Sequence, residues 1–222
     1  MSNFKWNDRN QERILTDSEE INIVMFVSRN KDNKDVVGFK ERKVGFPTTW
    51  DKNDERLHEM FREFKKKGLD GETSRFYFSL NARDNKKVVR SLLHFTLDNQ
   101  LELNPAGLPL LVTRIAMHKE NASTKHRLFD FDSSDIKLLK EFISDLKSRG
   151  LSEDDIEVQE TINNYAVTIA HGVDLRGIID TMPGQPIECK KDKGPWKWDS
   201  EIVTYKPDDL ILVDWGYHKK EG

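Results

Sequence analysis

An α+β fold, with helices packed over one face of a mostly antiparallel sheet, is what this sequence predicts, and three observations carry the expectation. The apolar residues switch in turn between period 2 and period 3.6 along the chain. Turn signals sit close between some of the runs, as at Asn163-Asn164, which favours hairpins. No repeat of fixed period is present, which removes solenoids and propellers. A length of 222 residues suits one domain, residues 1–222, in which 1–72 supplies a strand pair and a helix and 73–222 the core.

Ile21–Val27 alternates apolar and β-branched residues, and Val36–Phe46 follows the polar turn Asn30–Asp35, so the first elements are a strand pair. Leu57, Met60, Phe61 and Phe64 recur at i, i+3, i+4 and i+7 before Lys65, Lys66, Lys67 and Gly68, an amphipathic helix with a basic last turn and a stop. Arg75–Leu80 alternates through Phe76, Phe78 and Leu80 as a strand does. Arg83–Leu97 then returns to helical spacing through Val88, Val89, Leu92, Leu93 and Phe95. Asn104–Pro109 carries two prolines and a glycine and breaks the chain without the length of a linker.

Beyond that break His126–Phe131 reads as a strand, and Ile136, Leu139, Phe142, Ile143 and Leu146 build a helix ended by Gly150. Ile156–Thr161 and Tyr165–Ala170 are strands on either side of the hairpin turn, expected in one sheet with His126–Phe131 and with the Ile136–Leu146 helix packed across it. A short helix is expected over Asp174–Asp180 and an exposed loop over Met182–Gly194. Ile202–Tyr205 and Leu210–Val213 finish as strands.

The 36 basic and 39 acidic side chains nearly cancel, so the chain does not coat a polyanion by charge alone. They are unevenly placed: residues 1–100 carry 20 basic and 17 acidic groups, residues 101–222 carry 16 and 22. A basic half joined to an acidic half suits a polyanion on one side and metal ions on the other. The longest apolar runs, Leu108–Val112 and Ile21–Val27, are too short to cross a bilayer, and Met1–Arg13 lacks the apolar segment of a secretory signal. A cytoplasmic protein without a membrane partner is expected. The single cysteine, Cys189, closes off internal disulfides and thiolate zinc sites.

The sharpest local feature is Leu128-Phe129-Asp130-Phe131-Asp132-Ser133-Ser134, where a strand ends and a helix begins. Alternation projects Asp130 and Asp132 from one face while Phe129 and Phe131 go to the other. Two carboxylates so close repel unless a cation lies between them, which makes Mg²⁺ or Mn²⁺ the natural ligand; the plainer account is that Asp132 caps the next helix and Asp130 is a solvated strand end. Phosphoryl or nucleotidyl transfer calls for a third carboxylate, with Glu160, Asp174 and Asp214 as candidates, and for cations to hold phosphates. Lys119, Lys125, His126 and Arg127 lead into the aspartate strand, and of these Lys125 and Arg127 are the candidates to neutralise a nucleotide's phosphates. Lys86, Lys87, Arg90 and His94 line one face of a predicted helix, a stripe suited to nucleic acid or simply a wet surface. His171, after the strand Tyr165–Ala170, is a further candidate for phosphate, and Trp196 with Trp198 either stack on bases or anchor a loop.

A strand ending in Asp130-Phe131-Asp132, then a helix, then a hairpin carrying Asn163-Asn164-Tyr165 resembles the catalytic half of the archaeo-eukaryotic primase superfamily, including its phage-encoded primase-like members. The resemblance covers about residues 125–215. It implies a core like that of RNA-recognition domains, divalent cations held by Asp130 and Asp132, a nucleoside triphosphate as ligand, and Asp214 as the third acid. The family's second motif ends in a phosphate-binding histidine where this chain has Ala166, with His171 the only histidine nearby, so the resemblance also allows a protein that binds nucleotide without polymerising it. Haloacid dehalogenase-like phosphatases also start from paired aspartates, but only 90 residues follow Asp132, too few for their parallel unit. The alternative class is a non-catalytic interaction protein that binds nucleic acid or a host protein through its sheet and basic helix face.

Overall fold

A computed structural model describes residues 19–99, 107–123, 126–131, 133–161, 164–170, 203–207 and 210–218. Among them the fold is α+β. In chain order the elements are β1 (Glu20–Ser28), β2 (Arg42–Thr48), α1 (Glu55–Lys66), β3 (Thr73–Ser79), β4 (Arg83–Asp84), α2 (Asn85–Asn99), α3 (Leu108–Ala116), β5 (Arg127–Phe131), α4 (Ile136–Ser148), β6 (Ile156–Glu160), β7 (Tyr165–Ile169), β8 (Val203–Pro207) and β9 (Leu210–Tyr217). Every pairing of these strands is antiparallel. Two compact units result, one from the described residues up to Ser123 and from Leu210 onward, the other from those between. No described helix is long and apolar enough to cross a membrane.

The first unit is built on a sheet of order β2-β1-β3-β9, with β4 pairing β1. Alternation along β1 sends Val24 and Phe26 to one face and Ile21 and Ile23 to the other, and helices cover both. On the first face α1 buries Leu57, Phe61 and Phe64, with Phe61 stacked 5.4 Å from Phe26 and 5.7 Å from Phe76. On the second, Ile21 and Ile23 pack with Val88 of α2 and Val112 and Ala116 of α3. Asp54 starts α1 by accepting a hydrogen bond from the Arg56 N–H at 3.0 Å.

Two boundaries differ from the sequence expectation. Strand β2 begins at Arg42 rather than Val36, because residues 36–41 are held in turns by the Val36 N–H on the Asn33 carbonyl and the Phe39 N–H on the Val36 carbonyl, and Gly38 takes φ of +77°. The run from Leu108, read as the end of a chain break, is helix α3. Pro109 falls in its first turn, where a missing N–H leaves no helical bond unmade.

In the second unit the sheet runs β6-β7-β5-β8, so the three expected strands do share one sheet. Phe129 and Phe131 of β5, with Val167 and Ile169 of β7, meet Leu139, Phe142 and Leu146 of α4. The ring of Phe142 lies 5.6 Å from Phe129 and 5.7 Å from Phe131. Asp135 caps α4 through the Lys137 N–H at 2.8 Å, and Gly150, at φ +98°, turns the chain after it. The last two strands part company: β8 pairs β5, whereas β9 pairs β3 in the other unit. The expected helix Asp174–Asp180 and loop Met182–Gly194 lie outside the described residues.

Candidate functional site

Strand β5 is an interior strand, and what it offers is set by alternation. Phe129 and Phe131 are spent on α4, which leaves Leu128 and Asp130 on the opposite face. Asp130 is half-buried and sits in register with Ala166 on β7 and with Thr204 on β8; Ala166 is in turn opposite Gln159 of β6. A row Gln159–Ala166–Asp130–Thr204 therefore crosses the sheet. One step along, Glu157 stands opposite Thr168 on the same face.

This register sorts the candidates. The position to which the primase resemblance gives a phosphate-binding histidine is the direct cross-strand neighbour of Asp130, and it is filled by a methyl group, Ala166. Arg127 alternates to the α4 face with Phe129, so it does not share a surface with Asp130. Glu160 pairs with Tyr165, which pairs with Phe131, and this places it on the α4 face as well. Gln159 and Glu157 do share the Asp130 face. Alternation could not find them, because Gln159 and Ala166 are an odd number of residues apart and only the register of the hairpin puts them on one face. Asp132, Lys125, His171, Asp174, Trp196 and Trp198 lie outside the described residues.

Asp214 belongs to the first unit, on β9, and has a local occupation there. Its Oδ1 accepts the Trp215 N–H at 2.7 Å, and its Oδ2 lies 3.9 Å from Nδ1 of His58 on α1. His58 itself stands edge-on to Phe76 at 5.5 Å. The ladder slips beside this point, since Phe76 opposes Asp214 but Tyr77 opposes Leu212, leaving Val213 as a bulge. Asp130 and Asp214 are thus in different sheets of different units. Among the described residues no group of three or more His, Cys, Asp or Glu is placed to hold a metal ion.

The basic stripe is where the sequence put it. Lys86, Lys87 and Arg90 are all exposed on α2, as is His94, while Val88 turns into the core. Elsewhere arginines are tied down: Arg29 and Arg75 to Asp32, Arg42 to Glu72, Arg56 to Asp54, Arg62 to Glu55 and Arg149 to Asp145. Lys86, Lys87 and Arg90 make no ion pair with another described residue. Lys86 and Lys87 also occupy the first turn of the helix, where positive charge opposes the helix dipole, so stability does not account for them.

Comparison with protein-family models, with curated proteins and with solved structures found no match.

Proposed function

We propose that this chain is a cytoplasmic, primase-like nucleotide-binding protein that acts on nucleic acid. Its second unit binds the phosphates of a nucleoside triphosphate through Mg²⁺ or Mn²⁺ held by Asp130 and Asp132, and α2 of the first unit follows a nucleic-acid backbone through Lys86, Lys87 and Arg90. The observation that carries the reading is the setting of Asp130, a carboxylate on an interior strand, facing away from the helix-covered core, with only a methyl group beside it on β7. That donor chemistry fits a hard divalent cation, and Ala166 brings no polar side-chain group of its own to compete for it. When bound, the ion would neutralise phosphate charge and polarise the phosphorus–oxygen bonds; the chain's own part is to hold the ion and orient the nucleotide.

A second reading has its own observation. With Ala166 in place of a phosphate-binding histidine and Asp214 in another sheet, the same surface suits binding without polymerisation, and the protein then works as a nucleic-acid adaptor. One experiment separates the two and tests the first. Mn²⁺ with a nucleoside triphosphate should raise the melting temperature of the wild type, since about 2.7 kcal/mol follows from a ligand at a hundred times its Kd. The double variant Asp130→Asn with Asp132→Asn should lose that rise and keep its fold. No rise in the wild type rejects nucleotide binding; a rise without nucleotidyl transfer in a primed or unprimed assay favours the adaptor.

A further inference from the structure

We propose that the rim formed by β9 and the last turn of α1 binds single-stranded nucleic acid, with Trp215 and Tyr217 stacking on bases and Lys65 meeting the phosphates. The proposal deepens the nucleic-acid half of the function above and rests on it.

Trp215 and Tyr217 are two residues apart on a strand, so they share a face. They remain 38% and 63% exposed, with ring centroids 5.9 Å apart and planes at 79°. The two rings partner each other edge-on, and both still present surface to solvent. Every base has a flat π-face, and exposed aromatics beside a cation are the standard means of holding a single strand without reading its sequence.

The cation lies at the same rim. Gly216, between the two aromatics, points to the α1 side, and a Cβ built there would be 3.4 Å from Nζ of Lys65, whose chain also passes over the Phe61 ring at 4.9 Å. Glycine at this position lets Lys65 lie across the strand. Since β9 is the edge of its sheet among the described strands, the two faces are one backbone apart, and a nucleotide lying along the rim reaches both.

Pairing with another strand is the competing use of a sheet edge, and the backbone argues against it. The His218 N–H bonds the Glu72 carbonyl, so residues an odd number of steps away, Trp215 and Tyr217, direct their backbone groups outward. The outward N–H of Trp215 is already taken by Asp214 Oδ1. With the bulge at Val213, this blunts the edge in the manner of strands that avoid pairing, and leaves the rings as the feature to be recognised.

The test is fluorescence anisotropy of the full chain with a labelled oligothymidylate and, in parallel, a labelled duplex, each over a salt series. Trp215→Ala with Tyr217→Ala should weaken single-strand binding about tenfold or more, given roughly 1–3 kcal/mol per stacked base. The salt slope should not change, because stacking releases no counterions. Trp215→Phe with Tyr217→Phe should retain affinity, which excludes a folding artefact, and Lys65→Gln should flatten the slope by about 0.7. Unchanged affinity in the double alanine variant overturns the rim while sparing the nucleic-acid reading. A wild type that binds duplex but no single strand also overturns the rim alone, and one that binds neither overturns both. A wild-type dimer in sedimentation that the alanine variant dissolves, with oligonucleotide affinity unaltered, overturns the rim in favour of self-association.

Discussion

Glu72 is only 2% exposed and still carries a charge, which is sustained by the groups around it. Arg42 pairs with its Oε1, the Leu69 N–H donates to its Oε2 at 2.9 Å, and the Arg42 guanidinium lies over the Phe64 ring at 4.3 Å. Burial works to raise its pKa, but hydrogen bonds from the Leu69 N–H and Arg42, with the Arg42 charge, outweigh it and leave it below the ordinary value; Asp32 is lowered in the same way, by Arg75 and Arg29 against burial. Groups lowered on folding add stability that is complete above the carboxylate range and lost as the pH falls through their folded values. The melting temperature should therefore fall from about pH 4.5 downward, and Glu72→Gln, itself costing about 2–3 kcal/mol at pH 7, should flatten that fall. Parallel melting curves over pH for the two proteins would refute it. Two glycines give a second residue-scale prediction. A side chain at Gly68 would meet Arg42 and Glu72 at 2.9–3.0 Å, whereas Gly150 has open space but φ of +98°. Gly150→Ala should cost about 1 kcal/mol, the strain of a left-handed residue, and Gly68→Ala more, read from urea midpoints. At this scale the sequence exposed the chemical types well. Asp130 facing away from Phe129 and Phe131 followed from alternation alone, whereas His58 beside Asp214 did not, since nothing local links residues 156 positions apart.

Among the elements, α2 separates binding from folding. Its basic residues are exposed and its core contact is Val88, so Lys86→Glu, Lys87→Glu and Arg90→Glu together should leave the melting temperature within a few degrees, weaken nucleic-acid binding and lower the salt slope. An unchanged affinity and slope would return the stripe to ordinary surface. Helix α1 behaves in the opposite way. Phe61 is fully buried between Phe26 and Phe76, and Phe61→Ala should cost about 3–5 kcal/mol in denaturant unfolding. Helical period made α1, α2 and α4 legible. Helix α3 was not, because Pro109 and Gly107 mark a break and a helix start equally well. Strand β9 was expected to stop at Val213, and it runs to Tyr217 because the ladder resumes beyond the bulge at Val213, from Asp214 opposite Phe76 to Tyr217 opposite Thr73.

At the scale of the whole molecule the distribution of charge follows the units. Residues 124–209 hold 12 basic and 18 acidic side chains, leaving 24 and 21 for the rest of the chain. A polyanion is thus favoured by the unit that carries α2 and β9. The first unit is discontinuous, since β9 closes its sheet against β3 from beyond the second unit. Removing residues 210–222 should leave Phe76 and Phe78 on an unprotected edge strand and make the first unit aggregate, whereas residues 124–209 alone should stay folded by circular dichroism. A soluble, cooperatively melting fragment 1–123 would contradict this. The strands β8 and β9 look alike as short apolar runs, and period-2 spacing says that each is a strand without saying which partner it takes, so two sheets rather than one were not legible.

That returning strand also sets a schedule for synthesis. A ribosome delivers β3 long before β9, with 130 residues between Ser79 and Leu210, a wait of about 7–26 s at roughly 5–20 residues per second. During that interval the second unit has every strand of its own sheet except β8 well before the first can close, and β3 must pass the time with an open edge.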